Sequence, residues 1–199
     1  MADDVDTLVA ELQAIVDVDD PAALRRLNSR HRTMVARARS YQPTVAIGNT
    51  VVGQAGYPFP SSPEIVELLQ VYVDGVPYGK AKRDDDYSYS QGGLIWEGPT
   101  GLWFAEEDSE LILIPAPSTA GLAITALAAC YPPDLAAGQP ASAFKIDGEF
   151  QEPLVNGAAA TELLRIGEGD PASMEATFTA ACEEQRRRVD KRMRGSGPA

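Results

Sequence analysis

Apolar residues near the start of the chain recur at three- and four-residue steps. Val5, Leu8, Val9, Leu12, Ile15 and Val16 fall on one face of an amphipathic helix from about Asp4 to Val16. Asp3, Asp4 and Asp6 lie in or before its first turn, where the helix dipole favours negative charge. Asp20-Pro21 predicts a second start, with Asp20 as N-cap and proline at the first helical position. Leu24, Leu27, His31, Met34, Val35 and Ala38 continue an apolar face, and Arg25, Arg26, Arg30, Arg32, Arg37 and Arg39 occupy much of the remainder. Pro43 is the expected end, because the residue before a proline leaves the helical region. The same period returns late in the chain. Phe150, Leu154, Val155, Ala158, Leu163, Leu164 and Ile166 predict a third helix, closed by Gly167 and Gly169. Asp170-Pro171 repeats the start signal. Met174, Phe178, Ala181, Cys182, Gln185 and Val189 then share one face of a fourth helix that ends in Arg and Lys, complementing its dipole.

Between the helical pairs the pattern becomes alternating. Val45, Ile47, Val51 and Val52, interrupted by Gly48-Asn49 and Gly53, predict short paired strands. Tyr57-Pro58-Phe59-Pro60 and Pro63 read as a loop kept out of a sheet interior. Glu64 to Val73 is the next strand, with Asp74-Gly75 as a turn and Val76-Pro77-Tyr78 leading away. Lys80 to Ser90 is polar, and Leu94-Ile95-Trp96 and Leu102-Trp103-Phe104 restart the sheet. The acidic link Glu106 to Glu110 lies between two apolar runs, Leu102 to Ala105 and Leu111 to Ile114, which is a hairpin signal. After the Pro115 to Gly121 break, Leu122 to Ala128 predicts another strand. Pro132-Pro133 closes this region, and Asp134 to Asp147 is a connection rich in Pro, Ala, Gly and Ser. The expected fold is α+β: an antiparallel helical bundle (two N-terminal and two C-terminal helices) with an inserted small antiparallel β-sandwich or barrel. Residues 1–43 and 134–194 form the bundle, 44–133 the insert and 195–199 a loose tail.

Composition narrows the function. An apolar fraction of 44% in 199 residues suffices for a real core. No apolar run reaches the roughly 18 residues of a membrane span. The acidic N-terminus, Met-Ala-Asp-Asp-Val-Asp, lacks the basic start of a signal peptide, so the chain is expected to stay in the cytoplasm that makes it or in something assembled there. Cys130 and Cys182 are read as small buried hydrophobes rather than a disulfide. The net charge of −12 opposes nucleic-acid binding through a broad basic surface. Its distribution says more. From Thr44 to Tyr131 there are eleven acidic and three basic residues, while twelve of the seventeen basic residues sit in Arg25–Arg39 and Arg186–Arg194. Such polarity suits oriented docking or head-to-tail stacking.

Catalytic chemistry finds no foothold. His31 is the single histidine and lies mid-helix, which describes a partly buried structural residue better than a general base. Without a second histidine or paired cysteines, nitrogen- or sulfur-ligated metal sites are not expected. Asp84-Asp85-Asp86 resembles the start of a calcium loop, but Tyr89 and Ile95 stand where such a loop needs glycine and glutamate. Glu106, Glu107, Asp108 and Glu110 read as an exposed acidic turn. No nucleophile elbow, phosphate loop or dinucleotide fingerprint is present. The expectation is a non-enzyme without metal or cofactor.

The succession of elements carries a resemblance. A helical pair with the Leu27-Asn28 step is followed by Tyr57-Pro58-Phe59-Pro60 and the Val71-Tyr72-Val73-Asp74-Gly75-Val76-Pro77 turn. Then come Leu111-Ile112-Leu113-Ile114-Pro115-Ala116-Pro117, a strand ending Tyr131-Pro132-Pro133, and a helix pair joined by Gly169-Asp170-Pro171 and ending in arginines. From about Pro21 to Arg194 the chain resembles the head-to-tail adaptor (connector) proteins of tailed bacteriophages and gene transfer agents. The resemblance implies a structural virion protein assembled in the host cytoplasm. It implies a homo-oligomeric ring, commonly of twelve copies, at the virion neck, with the portal protein and stopper or tail proteins as partners. DNA would pass through without sequence-specific binding. On that reading Arg186, Arg187, Arg188, Lys191, Arg192 and Arg194 are portal-docking candidates. Asp84, Asp85, Asp86, Glu106, Glu107, Asp108 and Glu110 are acidic lumen or tail-facing candidates. The alternatives are another neck protein (stopper or tail terminator) or a soluble small-molecule-binding β module with helical flanks. That module would use Tyr57, Phe59, Trp96, Trp103 and Phe104.

Overall fold

The computed structural model describes residues 3–83, 94–95 and 102–195, of which 82–83, 94–95 and 194–195 are described by backbone alone. The chain forms two compact units, Met1–Tyr41 with Tyr131–Ala199, and Gln42–Cys130. The first is helical. Helices α1 (Val5–Ile15) and α2 (Asp20–Ala38) precede the second unit, and α3 (Gln151–Ile166) and α4 (Pro171–Gly195) follow it. The second unit is a nearly closed, barrel-like sheet, so the protein is α+β with an inserted barrel.

In the helical unit the apolar stripes meet. Leu8 and Leu12 of α1, Leu27 and Met34 of α2, Leu154 and Ala158 of α3, and Phe178 and Cys182 of α4 belong to one buried core. Of the expected α4 face, Phe178, Ala181, Cys182, Gln185 and Val189 are buried and Met174 is partly buried against the same core. Two helix ends differ from expectation. Asp19, not Asp20, caps α2, its carboxylate accepting the Ala22 N–H at 2.8 Å. Both residues are aspartates, so sequence chemistry cannot separate them. The C-terminus of α2 comes before Pro43: Arg39 takes the left-handed conformation (φ 54) and its N–H closes the last turn.

Polar side chains fasten the irregular segments to this core. Asn28 donates to the Leu135 carbonyl at 3.0 Å and accepts the Leu135 N–H at 2.6 Å. Gln151 grips the Asp3 backbone in the same two-pronged way, both bonds at 2.9 Å. An amide carries one donor and one acceptor edge, and so reproduces a strand partner for an isolated peptide group. His31 is fully buried; its Nε2 accepts the Lys145 N–H at 3.2 Å and its ring meets Phe144 edge-on. Glu162, 2% exposed, takes Arg26 from α2 and Arg165 from its own helix. The hydrogen bond from Arg165 is the main reason its carboxyl stays below the usual range, with Arg26 adding to it.

The barrel unit contains β1 (Thr44–Asn49), β2 (Gly56–Pro58), β3 (Ile65–Val73), β4 (Val76–Lys80), β5 (Lys82–Arg83), β6 (Leu94–Ile95), β7 (Trp103–Glu107), β8 (Glu110–Ile114) and β9 (Ala123–Cys130). Seven strands run in the order β1-β9-β3-β4-β7-β8-β2, and β5 pairs with β6. Among the described residues every pairing is antiparallel except β4 with β7, which is parallel. Register slips occur within β1 at Ala46/Gly48 and within β3 at Ile65/Glu67 and Leu68/Gln70. Such bulges bend and twist a strand, which a sheet needs in order to curl toward closure. They also break the alternation: Leu68 and Val71 are both buried although three residues apart.

Three sequence expectations change here. Val76-Pro77-Tyr78 pairs back onto β3 rather than leading away. The Tyr57-Pro58 stretch is not all loop: β2 pairs with β8 at the end of the strand order, a position where proline loses no ladder bond. Val51 and Val52 are not on a strand at all. The acidic link is likewise shorter than its composition suggests, since Glu106, Glu107 and Glu110 lie on β7 and β8 and only Asp108-Ser109 turn. Both turn residues have positive φ, 45 and 68, the twist that a two-residue hairpin prefers. Ser109→Gly is therefore expected to raise the barrel's stability by up to about 1 kcal/mol. A urea midpoint that stays put or falls would show that the turn is not under backbone strain.

Candidate assembly surfaces

The basic end of α4 combines internal ties with open charge. Arg188 pairs with Glu149 and Glu184 and lies over the Phe150 ring at 5.1 Å. Arg192 pairs with Asp147 at 2.7 Å. These two arginines hold α4 against the turn that leads into α3, so part of their charge is spent inside the unit. Arg187 reaches Glu183 and Glu184 on its own helix and is 73% exposed along its side chain. Arg186 and Lys191 are exposed. The side chain of Arg194, and residues 196–199 of the expected tail, lie outside the described residues. Of the basic α2 residues, Arg26 and Arg30 are committed to Glu162 and Glu175, Arg30 also stacking on Phe178 at 5.0 Å. Arg32 lies over Tyr131 at 4.5 Å.

The acidic candidates divide similarly. Glu106 does not stand in solvent at a hairpin tip. Its side chain is 23% exposed, pairs with Lys80 at 2.7 Å and accepts the Leu68 N–H at 3.0 Å. Lys80 also bonds the Leu68 carbonyl at 2.9 Å and Glu67 at 3.0 Å. Together they satisfy the backbone of β3 beside its bulge, a structural task. Glu107, Asp108 and Glu110 are exposed. Asp84, Asp85 and Asp86 lie outside the described residues. The barrel unit as a whole has eleven acidic and three basic residues, a net charge of −8.

The aromatic candidates are core. Tyr57, Trp103 and Phe104 are 4%, 5% and 1% exposed, and the Trp103 ring covers Gly79, its register partner on β4, so closely that a Cβ there would meet it at 2.7 Å. Phe59 is half-buried, and Trp96 lies outside the described residues. Burial raises both thiols, Cys182 to about 11, which keeps them protonated and poor nucleophiles. No group of three or more His, Cys, Asp or Glu suited to a metal ion exists among the described residues. No helix there is long and apolar enough to cross a membrane.

Sequence reasoning missed two surfaces. One is the apolar loop at Val51 and Val52, 50% and 61% exposed. Only the Gly53 interruption hinted that these valines are not strand residues. The other is a groove of about 450 Å³ between α1 and the start of α2, lined by the apolar Val9, Ala10, Pro21, Leu24 and Ala137 and the polar Asp6, Gln13 and Asp20. Val9 and Leu24 lie on the expected apolar faces but are only partly buried. A search of the curated proteins found no match. The family model described as SU10 adaptor protein matches residues 3–199, so this chain, a helical unit carrying a strongly acidic barrel, belongs to that family of phage head-to-tail adaptor proteins.

Proposed function

We propose that the protein forms a ring, of twelve copies on the family's pattern, that seats beneath the portal at the virion neck and continues the DNA channel toward the tail. The observation that carries this reading is the family match across residues 3–199, and the charge pattern supports it. A channel must pass DNA without gripping it, since every phosphate contact adds affinity. An acidic barrel unit with Asp84, Asp85, Asp86, Glu107, Asp108 and Glu110 supplies repulsion along such a path or toward the tail proteins. The end of α4 is the portal-facing element in this reading, with Arg186, Arg187 and Lys191 as exposed basic residues outside the ties that Arg188 and Arg192 make to the turn before α3.

Because Arg188 and Arg192 also brace the bundle, the informative variant replaces Arg186, Arg187 and Lys191 with alanine and leaves those two intact. Surface changes of this kind move stability by about 0.5 kcal/mol or less. Binding to purified portal rings is expected to weaken at least roughly tenfold at low salt, with the loss shrinking as salt rises. Unchanged portal binding with normal tail attachment would remove the docking role from α4. The small-molecule reading gains no support from the aromatic residues, three of which fill the barrel.

A further inference from the structure

The Val51-Val52 loop is a built feature rather than a slack one. Thr50, 2% exposed, anchors its base: its hydroxyl donates to the Thr119 carbonyl at 2.7 Å and accepts the Leu122 N–H at 3.0 Å. The Thr50 backbone bonds Leu122 and Gly121, and Gly53 N–H reaches the Pro117 carbonyl. From the other side the Tyr57 hydroxyl accepts the Val51 N–H at 3.1 Å and donates to the Gln54 carbonyl at 2.9 Å. Gln54 closes the loop on the Gly56 carbonyl. Two buried hydroxyls thus hold two β-branched apolar side chains in water. A preordered apolar projection loses little entropy on docking.

Charge indicates what it docks on. From Ser40 to Pro63 no residue is charged, in a chain whose net charge is −12. Copies of so acidic a chain repel one another over most of their surface. They approach without that penalty where an uncharged projection meets an apolar recess. The α1–α2 groove is such a recess. Val9, Ala10, Pro21 and Leu24 line it together with Asp6, Gln13 and Asp20; Asp6 accepts the Gly138 N–H and Asp20 accepts from Gln13, and a projection without charge gives these carboxylates nothing to repel. Its volume, about 450 Å³, is within the size range of binding clefts.

We infer that Val51 and Val52 of one copy seat in the Val9–Leu24 groove of a second copy. The contact is heterologous, projection on one subunit and recess on the next, which is the type that propagates around a ring rather than stopping at a dimer. The inference rests on the ring reading above and names the surface that makes the ring.

The test uses the full chain. Val52→Asp places a charge in the recess and is expected to weaken self-association at least roughly tenfold, read by sedimentation, while the melting temperature of the subunit is unchanged. In a mixture of single variants, Val52→Cys and Leu24→Cys are expected to form an intermolecular disulfide that neither forms efficiently alone. Rings that form equally well from Val52→Asp, or a mixture without the cross-link, would overturn this assignment and leave the ring reading standing. A wild-type chain that stays monomeric even beside portal rings would overturn both.

Discussion

Gly157→Ala is expected to destabilise the helical unit by about 1–3 kcal/mol, although alanine is the better helix former by roughly 1 kcal/mol. The reason is the crossing of α3 and α4. A Cβ on Gly157 would lie 2.5 Å from Cδ2 and 2.7 Å from Cγ of Phe178, and 3.2 Å from its Cβ. Phe178 cannot swing away, because it is fully buried in the core and has Arg30 over its ring. Space, not propensity, decides the sign. The Thr161 hydroxyl also bonds the Gly157 carbonyl and accepts from Arg30, so displacement of α3 would disturb the polar ties to α2. A double-mutant cycle in urea checks the cause. Phe178→Leu, itself destabilising through the lost ring, should remove most of the Gly157→Ala penalty. An equal penalty in both backgrounds would mean that the ring is not what the new methyl meets.

The contrast between Gly157 and the rest of α3 shows what was legible from sequence. Helix faces were for the most part, because burial follows a local period: each α4 residue from Phe178 to Val189 on the expected apolar face is buried, whereas Ile15 of α1 and Leu164 and Ile166 of α3, placed on such faces by the same period, are exposed near their helix ends. A glycine in mid-helix reads only as a weak position until the opposing aromatic is known. The barrel's strands were partly legible for the same reason. The Asp74-Gly75 turn, with φ of 50 and 79, is encoded in two adjacent residues. The pairing of β1 with β9 and the parallel β4–β7 pair join distant segments and leave no local trace. The bulges in β3 hide the strand's true inner face, since inserting one residue reverses the alternation beyond it.

Charge was legible as a total and misleading in detail. The acidic run Glu106 to Glu110 looked like one exposed surface, yet Glu106 is taken by Lys80 and the Leu68 N–H. Half of the arginine story is similar. Arg26, Arg30, Arg188 and Arg192 fasten helices to one another or to the connecting segment. What remains exposed after these pairings is a better guide to partners than the composition. By that measure the barrel unit keeps Glu107, Asp108 and Glu110 exposed, and α4 keeps Arg186 and Lys191.

Acid should loosen the helical unit through His31 before most carboxylates titrate. The imidazole is buried against Phe144 and receives the Lys145 N–H. Burial, reinforced by the Lys145 charge, lowers its pKa from 6.5 to about 4. The unfolded chain therefore binds a proton that the folded chain refuses over this interval. The neutral histidine's contribution is fully present above about pH 6.5 and is lost as pH falls toward about 4, up to roughly 3 kcal/mol in all. A protonated ring would also lose its Nε2 acceptor and leave the Lys145 N–H facing another donor. His31→Gln keeps an acceptor and cannot titrate, so its urea midpoint should fall less than the wild type's between pH 7 and pH 4.5. Carboxylates protonate in both proteins, and the difference between the two curves isolates the histidine. Parallel curves would place the acid sensitivity elsewhere, first in the Arg26–Glu162–Arg165 cluster, whose lowered carboxyl pKa gives the same sign at lower pH.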